Sequence, residues 1–179
     1  MSDILLRADA DGITTLTLND PGTLNSLSDA MLAALRDQLS DISEGSSRVV
    51  VLRAAGRAFC AGHNLREMQD MRQHEDGGAA AFGDLFDRCS AVMAAIQTLP
   101  QPVIARVQGL ATAAGCQLVA TCDMAIASQD AEFGVNGVDI GLFCSTPMVA
   151  LTRNVGRKRA FEMLSTGAFL TAPEAVTAG

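Results

Sequence analysis

The stretch from Val103 to Asp123 constrains the fold more than any other part of this 179-residue chain. Val103-Ile-Ala-Arg-Val107 reads as an apolar strand, Gly109-Leu-Ala-Thr-Ala-Ala-Gly115 as a tight turn of small residues, and the residues after it as a helix. A strand running through small residues into a helix is a unit of α/β architecture. It also leaves backbone N–H groups free at the helix start, where they and the positive helix end can approach a ligand oxygen. Small residues equally permit close packing of helix on strand, so the turn alone assigns no function. Gln117 follows within the first helical turn. An amide there cannot take a proton from water as a carboxylate could.

The remaining pattern alternates strands and helices. Ile4–Ala8 and Ile13–Leu18 flank Ala10-Asp-Gly12, a hairpin signal. Asp20-Pro-Gly22 is a turn, and Ser28 is a good N-cap for an amphipathic helix. That helix presents Met31, Leu32, Leu35, Leu39 and Ile42 at helical spacing and ends at Gly45. Val49–Arg53 has the continuous apolar run of a buried strand. Arg72–Gly83 is polar and rich in Gly and Ala, so a mobile loop is expected, followed by a helix using Leu85, Phe86, Val92, Met93 and Ile96 up to Leu99-Pro100. Strands are expected at Val103–Val107, Met124–Ala127 and near Val138–Ile140. Thr146 is read as the cap of a helix with Pro147 first, Lys158–Thr166 as a helix stopped by Gly167, and Thr171-Ala-Pro-Glu174 as a capping box.

A net charge of −7 argues against nucleic-acid or anionic-membrane partners, and no apolar run is long enough to span a bilayer. The absence of Trp and Tyr weakens any stacking-based recognition of sugars or single strands. Five cysteines, without CxxC or zinc spacing, imply reduced thiols and no metal site. With no secretory h-region at the N-terminus, a cytoplasmic location is expected.

A second segment has the same form as the first. Val49-Val-Val-Leu-Arg-Ala-Ala-Gly-Arg-Ala-Phe-Cys-Ala-Gly-His-Asn-Leu-Arg-Glu-Met68 also runs from strand through a turn into a helix. Two such turns could direct two peptide N–H groups at one developing negative charge. Both segments resemble the two signatures of the crotonase family, the enoyl-CoA hydratase/isomerase superfamily. Asn19–Ser28 resembles its first cofactor-contact segment, Ala131–Gly141 its second acidic segment, and Arg157–Gly167 and Thr171–Gly179 the helices that follow. Gly141–Pro147 and Ala113–Gln117 are closest to its enoyl-CoA hydratase domain-containing protein 3 subgroup.

The resemblance implies an α/β fold built as a spiral of ββα turns, with residues 1–179 as its N-terminal core and a C-terminal helical segment of the family absent. It implies an acyl-CoA thioester as substrate, no separately bound cofactor, a lyase or isomerase of fatty acid metabolism, and assembly into homotrimers or hexamers. By position, the oxyanion donors are the backbone N–H groups of His63 and Ala114. Leu24, Asn25 and Ser26, with Arg57, Ala58, Ala61 and Gly62, would line the groove for adenine and the phosphopantetheine arm. Leu65, Met68 and Met71 would face the acyl chain, or else pack in the core.

The departures are as informative. A hydratase of this family uses one glutamate to activate water and a second to protonate the α-carbon. Those positions hold Gln117 and Gly137, and the acid that some isomerases place a turn later falls at Ser145. Ordinary hydration is therefore not expected, and a non-catalytic acyl-CoA-binding protein is the alternative. Asp139 is the nearest ionisable substitute, though its position is usually structural. His63 and His74 read as incidental or solvated, Cys116 and Cys144 as buried apolar groups, and Asp123 and Glu132 as structural acceptors. Arg153, Arg157, Lys158 and Arg159 form a basic helix face.

Overall fold

β1 (Leu5–Ala10) and β2 (Ile13–Leu18) form an antiparallel hairpin through Asp11 and Gly12. Both turn residues have positive φ, 52° and 79°, which matches the right-handed twist of the flanking strands. In the computed structural model, which describes residues 3–179, this hairpin begins a five-stranded sheet of order β1-β2-β3-β5-β7. The added strands are β3 (Val49–Ala54), β5 (Val103–Val107) and β7 (Met124–Ala127), each parallel to its neighbour.

A second sheet has order β4-β6-β8-β9, from β4 (Ala58–Cys60), β6 (Leu110–Thr112), β8 (Glu132–Gly134) and β9 (Leu170–Thr171). Its first three strands run parallel, and β9 closes it antiparallel. Each pass of the chain thus lays one strand in the first sheet and the next in the second. Helices follow the first two passes: α2 (Leu65–Met71) and α3 (Ala79–Thr98) after β4, and α4 (Ala114–Thr121) after β6. This is the expected ββα spiral. It completes with α5 (Ser145–Asn154), α6 (Arg157–Thr166) and α7 (Ala172–Ala178).

The core forms where the apolar faces meet. α1 (Asp29–Ser43) starts at Ser28, whose hydroxyl accepts from the Met31 N–H at 3.2 Å. The five apolar positions read from its spacing are its five buried residues. They join Leu16, Leu18, Val50 and Leu52 of the sheet, and Leu85, Val92 and Ile96 of α3, in one cluster.

Four sequence expectations are corrected. Helix begins at Ala79 inside the expected 72–83 loop, because the Asp76 carboxylate accepts from the N–H groups of Gly78 and Ala80, both at 2.9 Å, and alanines follow. The strand expected near Val138–Ile140 is a 3-10 turn, Asn136–Ile140, closed by Gly141 at φ 74°. Cys144, not Thr146, is the residue before α5, which places Pro147 third in the helix. Proline fits there because the N–H groups of the whole first turn lack helical partners. The small-residue turn itself contains a strand, β6, too short to show any period.

Leu32 is 1% exposed at the centre of the α1 face. Leu32→Ala is expected to lower unfolding free energy by about 2–5 kcal/mol, read from urea denaturation.

Candidate active site

β4 and β6 lie side by side and parallel, with Ala58 opposite Leu110 and Cys60 opposite Ala111, so the turns that follow leave the same end of one sheet. The first turn is Ala61-Gly62-His63. Asn64 then caps α2, its side-chain oxygen accepting from the Arg66 N–H at 3.0 Å. The second turn is Ala113, which opens directly into α4 at Ala114.

The turns approach each other backbone to backbone. Gly62 has φ 90°, and a Cβ on it would stand 2.9 Å from the Ala113 Cβ and 3.2 Å from the Ala114 nitrogen. A Cβ on Gly115 would lie 2.1 Å from the Cys60 carbonyl oxygen, well inside contact distance. Only glycine permits this approach at either position. Ala113 adopts φ 51° and ψ −122°, a rare backbone for a residue with a side chain. Its N–H donates to the Gly134 carbonyl of β8 at 2.9 Å, and the neighbouring Thr112 hydroxyl donates to Asn136 Oδ1 at 2.6 Å. Among the described residues, neither the His63 nor the Ala114 N–H has a protein acceptor. Two free donors therefore stand at one place, one of them at the positive end of α4.

The 24–26 segment runs against the first turn. The Ala61 N–H donates to the Leu24 carbonyl at 3.1 Å, and the Leu27 N–H to the Gly62 carbonyl at 2.8 Å. Leu24 and Asn25 both have positive φ, 56° and 55°. Asn25 sustains this because its amide is fully engaged: Nδ2 donates to the Ala55 and Ala58 carbonyls at 2.8 and 2.9 Å, and Oδ1 accepts from the Asp20 N–H at 2.9 Å. Ser26 bonds Thr23 instead of facing outward alone. The Arg57 carbonyl abuts Gly109, where a Cβ would be only 2.0 Å away. Leu65 is exposed on α2, Met68 is half-buried, and Met71 is buried.

The positions that the family resemblance assigns to acid/base groups hold no ionisable side chain. Gln117 is 7% exposed, and its Oε1 is enclosed without a partner. It sits one turn beyond Ala113 and Ala114 on the same helix face, and helical side chains lean toward the N-terminus. Gly137 has no room for a side chain, since a Cβ would meet Cys144 Sγ at 2.9 Å and the Leu142 carbonyl at 3.0 Å. Asp139 is exposed; its carboxylate lies beside Gly167 at the end of α6 and meets Asn136 Nδ2 at 3.4 Å. Ser145 is exposed as the first residue of α5.

The thiols near the turns are held protonated. Burial pushes Cys60 and Cys116 up to about 12, and raises Cys144 as well, so none is a ready nucleophile. Asp123 is structural, accepting from the Val103 N–H at 2.7 Å. His74 is exposed, and Arg159 is paired with Glu162 and Glu174. His63 is different from an incidental surface histidine: both ring nitrogens are enclosed without partners, and Phe86 meets the ring edge-on at 5.7 Å. Its alternation in sequence gives no sign of this, because the ring is covered by α3, which is distant in the chain. An apolar cavity of about 550 Å³ lies elsewhere, between the later part of α4 and residues of β7, α5 and α7.

Comparisons with known proteins agree with this fold. The family model described as Enoyl-CoA hydratase/isomerase matches residues 8–179. Enoyl-CoA hydratase domain-containing protein 3, mitochondrial, of Mus musculus is 46% identical over 170 residues, which cover 94% of this chain and 55% of that protein. The chain thus spans about half the length of the curated relatives it matches. The crystal structure of enoyl-CoA hydratase from Mycobacterium smegmatis superposes with TM-score 0.93 at 56% identity, covering 98% of this chain and 67% of that one. Human enoyl Coenzyme A hydratase domain-containing protein 3 superposes with TM-score 0.92 at 44% identity, covering 98% and 68%. The expected cytoplasmic location is overturned by these relatives, since the mouse, human and Xenopus laevis proteins are all named as mitochondrial. Sequence match and fold lead to one assignment: the chain belongs to the enoyl-CoA hydratase/isomerase family, within the crotonase superfamily.

Proposed function

We propose that the chain binds an acyl-CoA thioester and stabilises its enolate in an oxyanion hole formed by the His63 and Ala114 backbone N–H groups. The carrying observation is the pair of unpartnered donors held together by an approach that only glycine allows. As a base from solvent takes the α-proton, the C–H electron pair becomes the enolate double bond and the carbonyl pair moves onto the thioester oxygen, where two fixed donors meet the new charge without reorganising. Each such donor is worth about 2.7–4 kcal/mol in the transition state. Backbone of Leu24–Ser26 and Arg57–Gly62 would cradle adenine and the pantetheine arm, and Leu65, Met68 and Met71 would meet the acyl chain. Coenzyme A arrives as part of the substrate.

Within this reading the protein is a lyase or isomerase of fatty acid metabolism that does not hydrate by the two-glutamate route. Gln117 can hydrogen-bond water or substrate but cannot take the proton, and Gly137 offers no group at all. The same two residues favour a second reading, a non-catalytic acyl-CoA-binding protein. Assembly into homotrimers or hexamers belongs to either reading, supported by exposed apolar side chains such as Met124, Ile126 and Phe161. Neither reading requires a nucleic-acid or membrane partner.

Butanoyl-CoA distinguishes the two. The enolate reading expects tighter calorimetric binding than coenzyme A and exchange of the α-hydrogens into heavy water above the buffer rate, followed by mass spectrometry. Gly115→Val drives a side chain into the Cys60 carbonyl and is expected to cut that exchange by about 100-fold or more. Binding without exchange selects the non-catalytic reading, and binding no tighter than coenzyme A removes both.

The carboxylate positions give a separate expectation. Gly137→Glu must displace Cys144 and the Leu142 carbonyl, so it should lower unfolding free energy by about 1–3 kcal/mol in urea. Gln117→Glu alone should leave crotonyl-CoA hydration at the buffer rate, measured by loss of enoyl absorbance, because the second carboxylate is still missing.

A further inference from the structure

His63 contributes a backbone donor to the proposed hole and also an imidazole that enolate stabilisation does not use. That ring is packed as an apolar group would be. Phe86 of α3 meets it edge-on with planes at 71°, and Phe82 stacks on Phe86 at 6.5 Å. The peptide carrying it is bridged to Leu27 through the Leu27 N–H and the Gly62 carbonyl. Yet both ring nitrogens are enclosed and unpartnered. A phenyl or leucyl side chain would fill this place without stranding polar atoms, so packing alone does not account for an imidazole.

The surrounding charges favour a neutral ring. Arg88 of α3 is the charge that acts on it, and Arg88 is held by Asp29 of α1 at 2.9 Å and by Asp84 of α3 at 2.7 Å. Glu67 of α2 is occupied by the Asp29 N–H at 3.0 Å. No carboxylate lies within hydrogen-bond distance of the ring among the described residues.

We propose that His63 is a proton-sensitive positioning residue: its neutral ring seats the donor peptide against Leu27 and Phe86, and protonation expels the ring and withdraws the His63 N–H from the hole. This rests on the acyl-CoA reading above. An imidazolium in that enclosure would face Arg88 with no counter-ion. Burial accordingly pushes the ring's pKa down, the Leu27 backbone, which nears the ring without reaching hydrogen-bond geometry, opposes this, and Arg88 adds to the fall. An expelled, solvated ring takes its proton near the ordinary value of about 6.5. The seated form is therefore fully favoured above that pH and loses ground as pH falls below it.

Calorimetry on the full chain tests this through the affinity of butanoyl-CoA relative to coenzyme A at about pH 7.5 and about pH 5.5, a window that brackets free histidine. Taking the ratio cancels titration of the phosphates common to both ligands. The ratio is expected to fall about fivefold or more in the wild type and to stay level in His63→Phe and His63→Leu. By reciprocity, saturating butanoyl-CoA should lower the midpoint of the His63 ring in an NMR titration by about 0.7 pH unit, leaving His74 unmoved. That measurement needs no variant. A preference for butanoyl-CoA that is the same at both pH values, an equal fall in the variants, or an unmoved His63 midpoint overturns the role. Butanoyl-CoA binding no tighter than coenzyme A at the higher pH overturns the acyl-CoA reading, and the role with it.

Discussion

Contact between the end of β4 and the start of α4 is the constraint on which the rest of the site depends. The Cys60 carbonyl occupies the space where any side chain at position 115 would begin, and a Cβ on Gly62 would stand 2.9 Å from the Ala113 Cβ and 3.2 Å from the Ala114 nitrogen. Parallel pairing of β4 with β6 brings the two turns to the same sheet end, and β8 then fixes the second turn through the bond from Ala113 to Gly134. Positive φ at Ala113 costs on the order of 1–3 kcal/mol, a strain that persists only where neighbours overdetermine it. Here it is braced by β8 on one side and Gly62 on the other. What that bracing produces is a pair of peptide donors with no acceptor among the described residues.

Backbone and side-chain chemistry have separated in this chain. The donors survive any substitution at positions 63 and 114 that leaves the backbone path intact, which is why histidine can stand at one of them. Carboxylates at positions 117 and 137 would be side chains, removable without disturbing a strand or a turn. At Gly137 a side chain is also opposed sterically, because Cys144 Sγ and the Leu142 carbonyl crowd the place where its Cβ would stand.

Much of the framework is legible in the sequence wherever a period is long enough to repeat. The α1 face from Met31 to Ile42 shows three helical turns of apolar spacing, and all five residues are buried. The parallel strands β3 and β5 appear as continuous apolar runs. The second sheet is invisible to such reading, since Ala58–Cys60, Leu110–Thr112 and Glu132–Gly134 are each three residues long and cannot establish alternation. Asp76 starts α3 through local hydrogen bonds in a stretch whose composition reads as loop. At the site, the close approach of the two turns is legible from their glycines, while the roles of positions 117 and 137 rest on the family resemblance alone. Enclosure of the His63 ring nitrogens is not, because it depends on Phe86, brought to the ring by the packing of α3.

Unpartnered polar atoms give an independent view of where function resides. Buried side-chain atoms without a hydrogen-bond partner occur on His63, Gln101, Gln117 and Ser128 among the described residues, and three of the five atoms belong to His63 and Gln117. Such an atom costs about 1–3 kcal/mol, and natural cores rarely retain one without compensation. These three belong to the residue that carries one free peptide donor and to the residue three positions after the other. Local rules of packing are broken most densely where a fold serves a ligand instead of its own stability. Imidazole and amide here sit on the two elements whose close approach creates the donors, one on the turn after β4 and one on the first turn of α4. The stranded atoms and the free N–H groups thus belong to one arrangement, the close approach of the turn after β4 to the start of α4.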